Sequence, residues 1–153
     1  MTKPQTARAI TIAVLAGAAA LAWFARQRSQ NAPATPEDTI YAMYDAARAG
    51  DVKLYVGFFT GAMAAALDRA QRDSNPAFAQ YLRGLNDGLK GMAIAPPESL
   101  NDTEVKAKVE YVFADRNEVQ WMYLEKAGGS WKIARVDGAE RIKTLVPYGT
   151  PVR

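Results

Sequence analysis

The stretch that decides the fold is residues 103–137, TEVKAKVEYVFADRNEVQWMYLEKAGGSWKIARVD. Apolar and polar residues alternate along its first part, with Val109 and Tyr111 on one face and Lys106 and Lys108 on the other. A period of two residues is typical of a half-buried antiparallel strand. The stretch therefore predicts that strand pairing organises the second half of the chain.

Turn signals divide this stretch into three predicted strands, at residues 103–114, 118–126 and 131–137. Asp115-Arg116-Asn117 turns the chain once, and Gly128-Gly129 is typical of a tight hairpin turn. The three strands are therefore expected to form an antiparallel meander. Shorter strands complete the prediction, at residues 92–95 and, along an edge, at residues 141–146.

The residues before the meander predict helices. A helix is expected to start after Thr35, because threonine caps helix ends, Pro36 suits the first helical position and acids follow. This helix is predicted to run to Ala49, where Gly50 closes it. Helices followed by strands imply an α+β layer structure with the helices packed on one face of the sheet. Three further helices are predicted, at residues 52–59, 62–72 and about 74–89.

An uncharged segment precedes the predicted domain, at residues 9–25, AITIAVLAGAAALAWFA. As a helix its 17 residues would span about 25 Å, slightly less than a hydrocarbon core of about 30 Å. Trp23 and Phe24 lie beside Arg26 and Arg28, and aromatic residues next to basic ones are typical of a membrane–water interface. The segment therefore predicts a single transmembrane helix or signal anchor.

Two other interpretations of this segment remain open. Lys3 and Arg8, in a basic flank at residues 1–8, are compatible with a secretory signal that is cleaved after Ala20-Leu21-Ala22. A buried helix of a soluble protein is the third interpretation. With an anchor, the small excess of positive charge before it favours an N-terminus in the cytoplasm. The domain would then lie on the periplasmic or extracellular side of the cytoplasmic membrane.

Composition and the positions of proline divide the rest of the chain into a linker, a domain and a tail. Residues 26–35 are polar and proline-containing, which is typical of a linker. The α+β domain is predicted at residues 36–146, and a short C-terminal tail follows at residues 147–153. A chain of 153 residues is long enough for one such domain with its own core.

The charge distribution argues against nucleic-acid binding. The whole chain carries a formal net charge of +3, but four basic residues and no acidic ones fall within residues 1–31. That leaves 15 basic residues against 16 acidic ones in residues 32–153. A nucleic-acid-binding domain should have a basic surface of its own. The expected partners are instead membrane lipid and other membrane-protein subunits, contacted through the transmembrane helix and the domain.

The absence of cysteine and histidine excludes several chemistries. Disulfides, thiolate metal sites and cysteine nucleophiles are ruled out, and so are the commonest general base and metal ligand. The glycine pair at 128–129 lies between two strands, so it is not a phosphate-binding motif. We therefore expect no cofactor, no metal and no catalytic residue that a motif identifies.

The order of elements resembles the nuclear transport factor 2-like superfamily, whose members are cone-shaped α+β domains. The similarity covers about residues 36–146, and the chain is similar to membrane-anchored branches of the superfamily. In that superfamily the opening helix often ends as residues 46–51 do, AARAGD, and the closing strand often reads as Trp131-Lys132-Ile133 does. The resemblance implies a curved antiparallel sheet beneath helices. It implies no particular function, because this fold supports many.

Side chains able to line a pocket inside such a cone are mostly aromatic. Equally, these residues could simply fill the core, since aromatic side chains bury large areas. A carboxylate such as Asp45 or Glu110 would serve as a base only if burial raised its pKa. The candidate pocket residues are Tyr41, Tyr44, Tyr111, Trp121 and Arg135, with Trp131 as a further wall.

Three functions follow from these patterns. The first is a membrane-anchored, non-enzymatic accessory or assembly subunit of a larger membrane or envelope complex. Small residues at 16–20, which permit close helix–helix approach in lipid, favour it. The alternatives are a domain that binds a small apolar ligand inside the cone, and an isomerase or hydro-lyase that uses a buried carboxylate.

Two measurements on the mature chain test the predicted anchor: its distribution between membrane and soluble fractions, and its intact mass. We expect the chain to remain in the membrane pellet after alkaline carbonate extraction, with an intact mass that still includes residues 1–25. A mature chain that begins at Trp23 would show that the segment is a cleaved signal. A full-length chain in the carbonate supernatant would show that the segment does not span lipid.

Overall fold

The computed structural model describes residues 33–74 and 76–142. The predicted transmembrane segment, its interface residues Trp23, Phe24, Arg26 and Arg28, and most of the linker lie outside these residues, as does the tail. None of the helices within the described ranges is both long and apolar enough to cross a bilayer.

The first helix, α1 (Pro36–Ala49), has the predicted bounds. Its N-terminus is capped by Thr35, whose hydroxyl accepts a hydrogen bond from the backbone N–H of Asp38 at 3.1 Å. Its C-terminus is closed by Gly50, which has a φ of 69° in the left-handed region that glycine adopts readily. The capping signals in the sequence therefore fix both ends of this helix.

Three shorter or more exposed helices follow within the described residues, and two of them end earlier than predicted. The helix α2 (Val52–Gly57) ends before Phe58, because the backbone there pairs with the sheet instead. The helix α3 (Gly61–Ser74) has no fully buried residue. The helix α4 (Ala77–Gly84) ends well before Leu89, and the chain continues through turns in which Gly88 has a φ of 79°.

Within the described residues, the second half of the domain is an antiparallel sheet of six strands, so the predicted α+β class is confirmed. The strands β1, β3, β4 and β5 are neighbours in that order, while β2 pairs with β3 and β6 pairs with β4. The β4–β5 hairpin turns at Gly128-Gly129, both with positive φ, as predicted. The strands are β1 (Gly91–Ile94), β2 (Glu98–Ser99), β3 (Glu104–Val112), β4 (Asn117–Ala127), β5 (Ser130–Val136) and β6 (Glu140–Ile142).

The core lies between the helices and one face of the sheet, which we call the inner face. The inner face is defined by alternate residues of β3 and β4 that are almost fully buried, including Val109 and Leu124. Packed against it are Ile40 of α1 and Leu82 of α4, both with 0% of their surface exposed. Burying one such side chain contributes about 1.5–3 kcal/mol. This packing fixes which side chains of the strands face the helices.

The segment that follows α2 pairs with the edge strand β5. The backbone N–H of Ile133 donates to the carbonyl of Phe58 at 2.8 Å, and that of Thr60 donates to the carbonyl of Ile133 at 3.0 Å. The side-chain ammonium of Lys132 also donates to the carbonyl of Gly57. These tertiary contacts end α2 earlier than its local sequence predicts, and they place Phe59 and α3 against the sheet.

Candidate functional site

A cavity of about 310 Å³ lies between the helices and the inner face of the sheet, and it is partly open to solvent. It lies at the lower end of the size range of small-molecule pockets, roughly 300–1,000 Å³. Apolar side chains form most of its lining, among them Met43, Phe59, Met63, Leu89 and Met122. The helices supply one wall, and β3, β4 and β5 supply the other.

A chain of hydrogen bonds crosses this cavity from helix to sheet. The hydroxyl of Tyr44 in α1 donates to the hydroxyl of Tyr111 in β3. The hydroxyl of Tyr111 donates in turn to Oε1 of Gln120 in β4 at 2.9 Å. The two tyrosine rings pack with their centroids 5.6 Å apart and tilted by 57°, a favourable aromatic geometry. These hydrogen bonds give the two buried phenols partners that the surrounding apolar side chains could not provide.

Burial keeps the tyrosines of the cavity in their neutral form. Burial first, and then the nearby Tyr81, raise the pKa of Tyr55 to about 12. Burial likewise raises the pKa of Tyr111 to about 12, although the hydrogen bond from Tyr44 opposes the shift. The pKa of Tyr44 is raised further still, by burial first and then by Tyr111. At neutral pH these phenols are therefore protonated hydrogen-bonding groups.

One corner of the cavity contains an ion-paired carboxylate. Glu118 of β4 lies in the lining, and its Oε1 is 2.7 Å from Nε of Arg116 and 3.8 Å from Nε of Arg141. The Arg116 guanidinium also covers the ring of Phe113, at 4.1 Å from its centroid. Glu118 is therefore tied to the arginines and to the strand margin by ion pairing.

The turn after α4 brings an unpaired amide to the cavity. Asn86 lies in the lining, and its Nδ2 is buried with no hydrogen-bond partner among the residues that the structure describes. Buried donors are nearly always satisfied in folded proteins, and leaving one unsatisfied costs about 1–3 kcal/mol. Among the described residues, Nδ2 of Asn86 is therefore a buried donor without a partner.

The structure brings two of the five predicted pocket residues into the cavity lining, namely Tyr44 and Tyr111. Tyr41 lies one turn earlier on α1 and has 43% of its surface exposed to solvent. Trp121 lies on the outer face of the sheet, where Nζ of Lys106 is 3.9 Å from its ring centroid. Arg135 is mostly exposed beside the same face, stacked on the ring of Tyr123 at 3.7 Å.

The outer position of Trp121 has a simple cause. Met122 and Leu124 are almost fully buried on the inner face, so the residues that alternate with them must face outward. Trp131 instead packs at the margin of the core. Neither tryptophan belongs to the cavity lining.

The acidic residues considered as bases lie elsewhere. Asp45 is exposed on α1, and Glu110 accepts a hydrogen bond from Nδ2 of Asn117 at 2.7 Å outside the cavity. Sequence reasoning missed Asn86, Glu118 and Gln120. Glu118 and Gln120 share the inner face of β4 with Met122. The prediction of Trp121 as a pocket residue placed the opposite face inside, and choosing the other face would have found both residues. Asn86 has no such signal, because the predicted helix continued through it.

Metal or cofactor binding gains no support from these residues. Among the residues that the structure describes, no three acidic side chains converge as metal ligands would. The polar groups of the cavity are phenols, amides and one ion-paired carboxylate, which suit hydrogen bonding to an organic molecule better than coordination of a cation.

Similarity to known proteins is found among solved structures. No protein-family model and no curated protein matches the chain. It is similar to an NTF-2-like protein of unknown function from Shewanella oneidensis, with 15% identity and a TM-score of 0.43 over 67% of this chain and 97% of the other. A second such protein, from Shewanella baltica, has 10% identity and a TM-score of 0.41 over 70% and 90%.

A third structure, Bd1075 of Bdellovibrio bacteriovorus, is 15% identical with a TM-score of 0.37. The match covers 69% of this chain but only 39% of that protein. Likenesses of this strength indicate neither a ligand nor an activity for this chain. The site is therefore interpreted from its own geometry.

The raised pKa of Tyr55 predicts a loss of stability at high pH. Above pH 10 the unfolded chain releases the Tyr55 proton while the folded chain retains it up to about pH 12, so ionisation stabilises the unfolded state. The contribution of the neutral Tyr55 side chain to the stability of the folded state is therefore complete below pH 10, and it is lost as the pH rises towards 12. The free energy of unfolding of Tyr55→Phe should therefore fall less steeply with pH than that of the native chain. The two slopes should differ by up to about 1.4 kcal/mol per pH unit.

Urea unfolding of both proteins at pH 8, 10, 10.5 and 11 measures this difference. At pH 8 the variant should be nearly as stable as the native chain, since its ring still packs against Phe59, with centroids 5.1 Å apart. Parallel pH profiles for the two proteins would contradict the assignment of Tyr55 as a buried phenol.

Proposed function

We propose that the domain binds a small, largely apolar organic molecule in the cavity between its helices and its sheet. The observation that supports this proposal is the cavity itself, about 310 Å³ in volume and lined mainly by apolar and aromatic side chains. A few convergent polar groups within a mostly apolar lining are typical of small-molecule sites. Tyr44, Tyr111, Gln120 and Asn86 are those groups here.

The rim of the cavity supports the same function. Tyr81 and Leu85 belong to the lining, yet 61% and 43% of their surfaces are exposed. Large apolar side chains at the mouth of a cavity offer an entering molecule contact before it reaches the interior. Burial of that apolar surface, together with the apolar surface of the ligand, would drive binding at about 25 cal/mol per Å².

We assign the domain to the nuclear transport factor 2-like superfamily, in a membrane-anchored branch, as part of this proposal. The assignment is supported by the four helices that, among the described residues, precede an antiparallel sheet, and by the residues that end the first of them. Asp51 directly follows the C-cap Gly50 and caps α2, accepting a hydrogen bond from the backbone N–H of Leu54 at 3.0 Å. The uncharged residues 9–25 supply the anchor.

A second function, an accessory subunit of a larger membrane complex, is favoured by residues 9–25. Their small residues suit close packing against another helix in lipid. Extraction in several mild detergents, followed by mass photometry, tests it. We expect an assembly larger than one chain, and a lone monomer in every detergent would contradict this second function without affecting the cavity.

Filling the cavity tests the ligand-binding function. Val136 of β5 lies in the lining, and Val136→Phe should weaken binding of the apolar fluorophore 2-isopropenylnaphthalene at least about ten-fold by occupying its space. Binding is measured by equilibrium dialysis with the full-length chain in phosphatidylcholine nanodiscs, against empty nanodiscs.

The matched control is Val112→Phe, the same change at a half-buried strand position outside the lining and outside the core. It should bind the probe as the native chain does. Circular dichroism checks that both variants are folded, since overpacking costs about 1–3 kcal/mol. Equal binding by the native chain and Val136→Phe, or no binding above empty nanodiscs, would contradict the function.

A further inference from the structure

We infer that the molecule bound in the cavity is a flat aromatic compound of about two fused rings, recognised by aromatic side chains and methionine sulfurs in the lining. This inference rests on the proposed function, because it names the class of ligand for the same cavity. Three observations support it: the placement of aromatic residues around the cavity, the placement of methionines around it, and its volume.

Aromatic side chains line the cavity on both of its walls. The helices and the segment after α2 contribute four of them, and β3 with the turn that follows it contributes two. A ligand ring that enters between helices and sheet therefore meets aromatic rings on either side, and aromatic pairs are stabilised beyond the area that they bury. The six residues are Tyr44, Tyr55, Phe59, Tyr81, Tyr111 and Phe113.

The rings of the lining already pack against one another in tilted pairs. The ring centroids of Tyr44 and Tyr111 are 5.6 Å apart with their planes at 57°, and those of Tyr55 and Phe59 are 5.1 Å apart with their planes at 53°. Tyr55 also lies close enough to Tyr44 and Tyr111 to contribute to the raised pKa of both. The two pairs therefore form one aromatic cluster, which a ring of the ligand would extend.

Part of the aromatic surface of the lining is not used by the packing of the protein. Tyr44 and Phe113 are only half-buried, and 61% of the surface of Tyr81 is exposed. Tilted rings leave ring edges and part of their faces open to further contacts, in contrast to rings stacked face to face. A planar ligand can therefore contact these rings without displacing an existing contact.

Methionine side chains reach the cavity from three different elements. Met43 lies on α1, Met63 on α3 and Met122 on β4, and all three belong to the lining. Thioether sulfurs make favourable contacts with aromatic rings, and the unbranched side chain adjusts to the shape of what it touches. Met63 is half-buried on a helix that has no fully buried residue, so it is the most free to adjust. A saturated ligand would bury the same area without gaining contacts between sulfur and ring.

The volume of the cavity fits two fused rings. An apolar cavity of about 150 Å³ is large enough to bind benzene. The cavity here has about twice that volume, at about 310 Å³. Naphthalene is therefore the simplest member of the inferred class, and saturating its rings one after the other keeps the skeleton while it removes the aromatic character.

Three bicyclic hydrocarbons with the same skeleton test this preference. Naphthalene has two aromatic rings, tetralin has one and trans-decalin has none. Each is dialysed against the full-length chain in phosphatidylcholine nanodiscs and is measured by gas chromatography. The affinity of each probe for the chain is divided by its partition coefficient into empty nanodiscs, so that differences in hydrophobicity cancel. This comparison within the native chain requires no variant.

We expect the corrected affinity to fall about five-fold with each ring that is saturated, because each aromatic ring of the ligand makes its own contact with the aromatic lining. Tetralin should therefore lie between the other two probes. Equal corrected affinities, or tightest binding of trans-decalin, would overturn the aromatic preference while leaving ligand binding intact. Binding of no probe above empty nanodiscs would overturn the proposed function itself.

A substitution in the lining tests whether the aromatic side chains cause the preference. Phe59→Leu removes one ring, so the preference for naphthalene over trans-decalin should fall about three-fold while trans-decalin still binds. The matched control is Phe78→Leu, the same change in the same core cluster but outside the lining, where 6% of the surface is exposed against 7% for Phe59. The control should keep the full preference. An equal preference in both variants would contradict the inference.

A second pair of variants makes the test independent of whether Phe59→Leu folds, which circular dichroism shows. Tyr81→Leu removes a largely exposed ring of the lining, whereas Tyr41→Leu makes the same change at an exposed helix position outside it. Tyr81→Leu should reduce the preference for naphthalene, and Tyr41→Leu should keep it. If Tyr81→Leu kept the full preference as well, the aromatic lining would not be its cause.

Discussion

The structure depends on the packing of α1 against the inner face of β3 and β4. Ile40 and Met43 of the helix belong to the same buried cluster as Val109 and Leu124 of the sheet, and all four are almost fully buried. Because successive residues of a strand face opposite sides, burying these side chains fixes the direction of every other residue in both strands. A shift of one residue would bring the lysines of β3 into the core, where their charges would be unpaired. The rest of the domain is arranged around this contact.

The cavity forms where this packing is incomplete. Beyond α1, the wall continues through the end of α2, through α3 and through the turns that follow α4, and these elements contribute side chains rather than a continuous helix face. α3 has no fully buried residue, and Tyr81 of α4 remains largely exposed. The helix layer therefore covers the sheet without filling the space above it. Tyr44 and Tyr111 span that space, and their shared hydrogen bonds make their burial tolerable.

The chemistry of the interior favours recognition over catalysis. Burial raises the pKa of Tyr111 and so disfavours its ionised form, while the carboxylate of Glu118 is engaged in an ion pair with Arg116. What the interior offers is shape, apolar contact and a few fixed hydrogen-bonding groups. These properties suit the proposed binding of a small, largely apolar molecule.

The sequence by itself determined the local structure. Thr35 and Gly50 set both ends of α1, Gly128-Gly129 set the hairpin, and the alternation of β3 predicted its buried face, because each depends on neighbours in the chain. Only the tertiary structure decided which face of β4 is buried, because both faces carry apolar side chains in sequence. It likewise ended α2 at Gly57 through pairing with β5, and it brought Asn86, Glu118 and Gln120 to one cavity. A cavity is formed by residues distant in the chain, so no local pattern could reveal it.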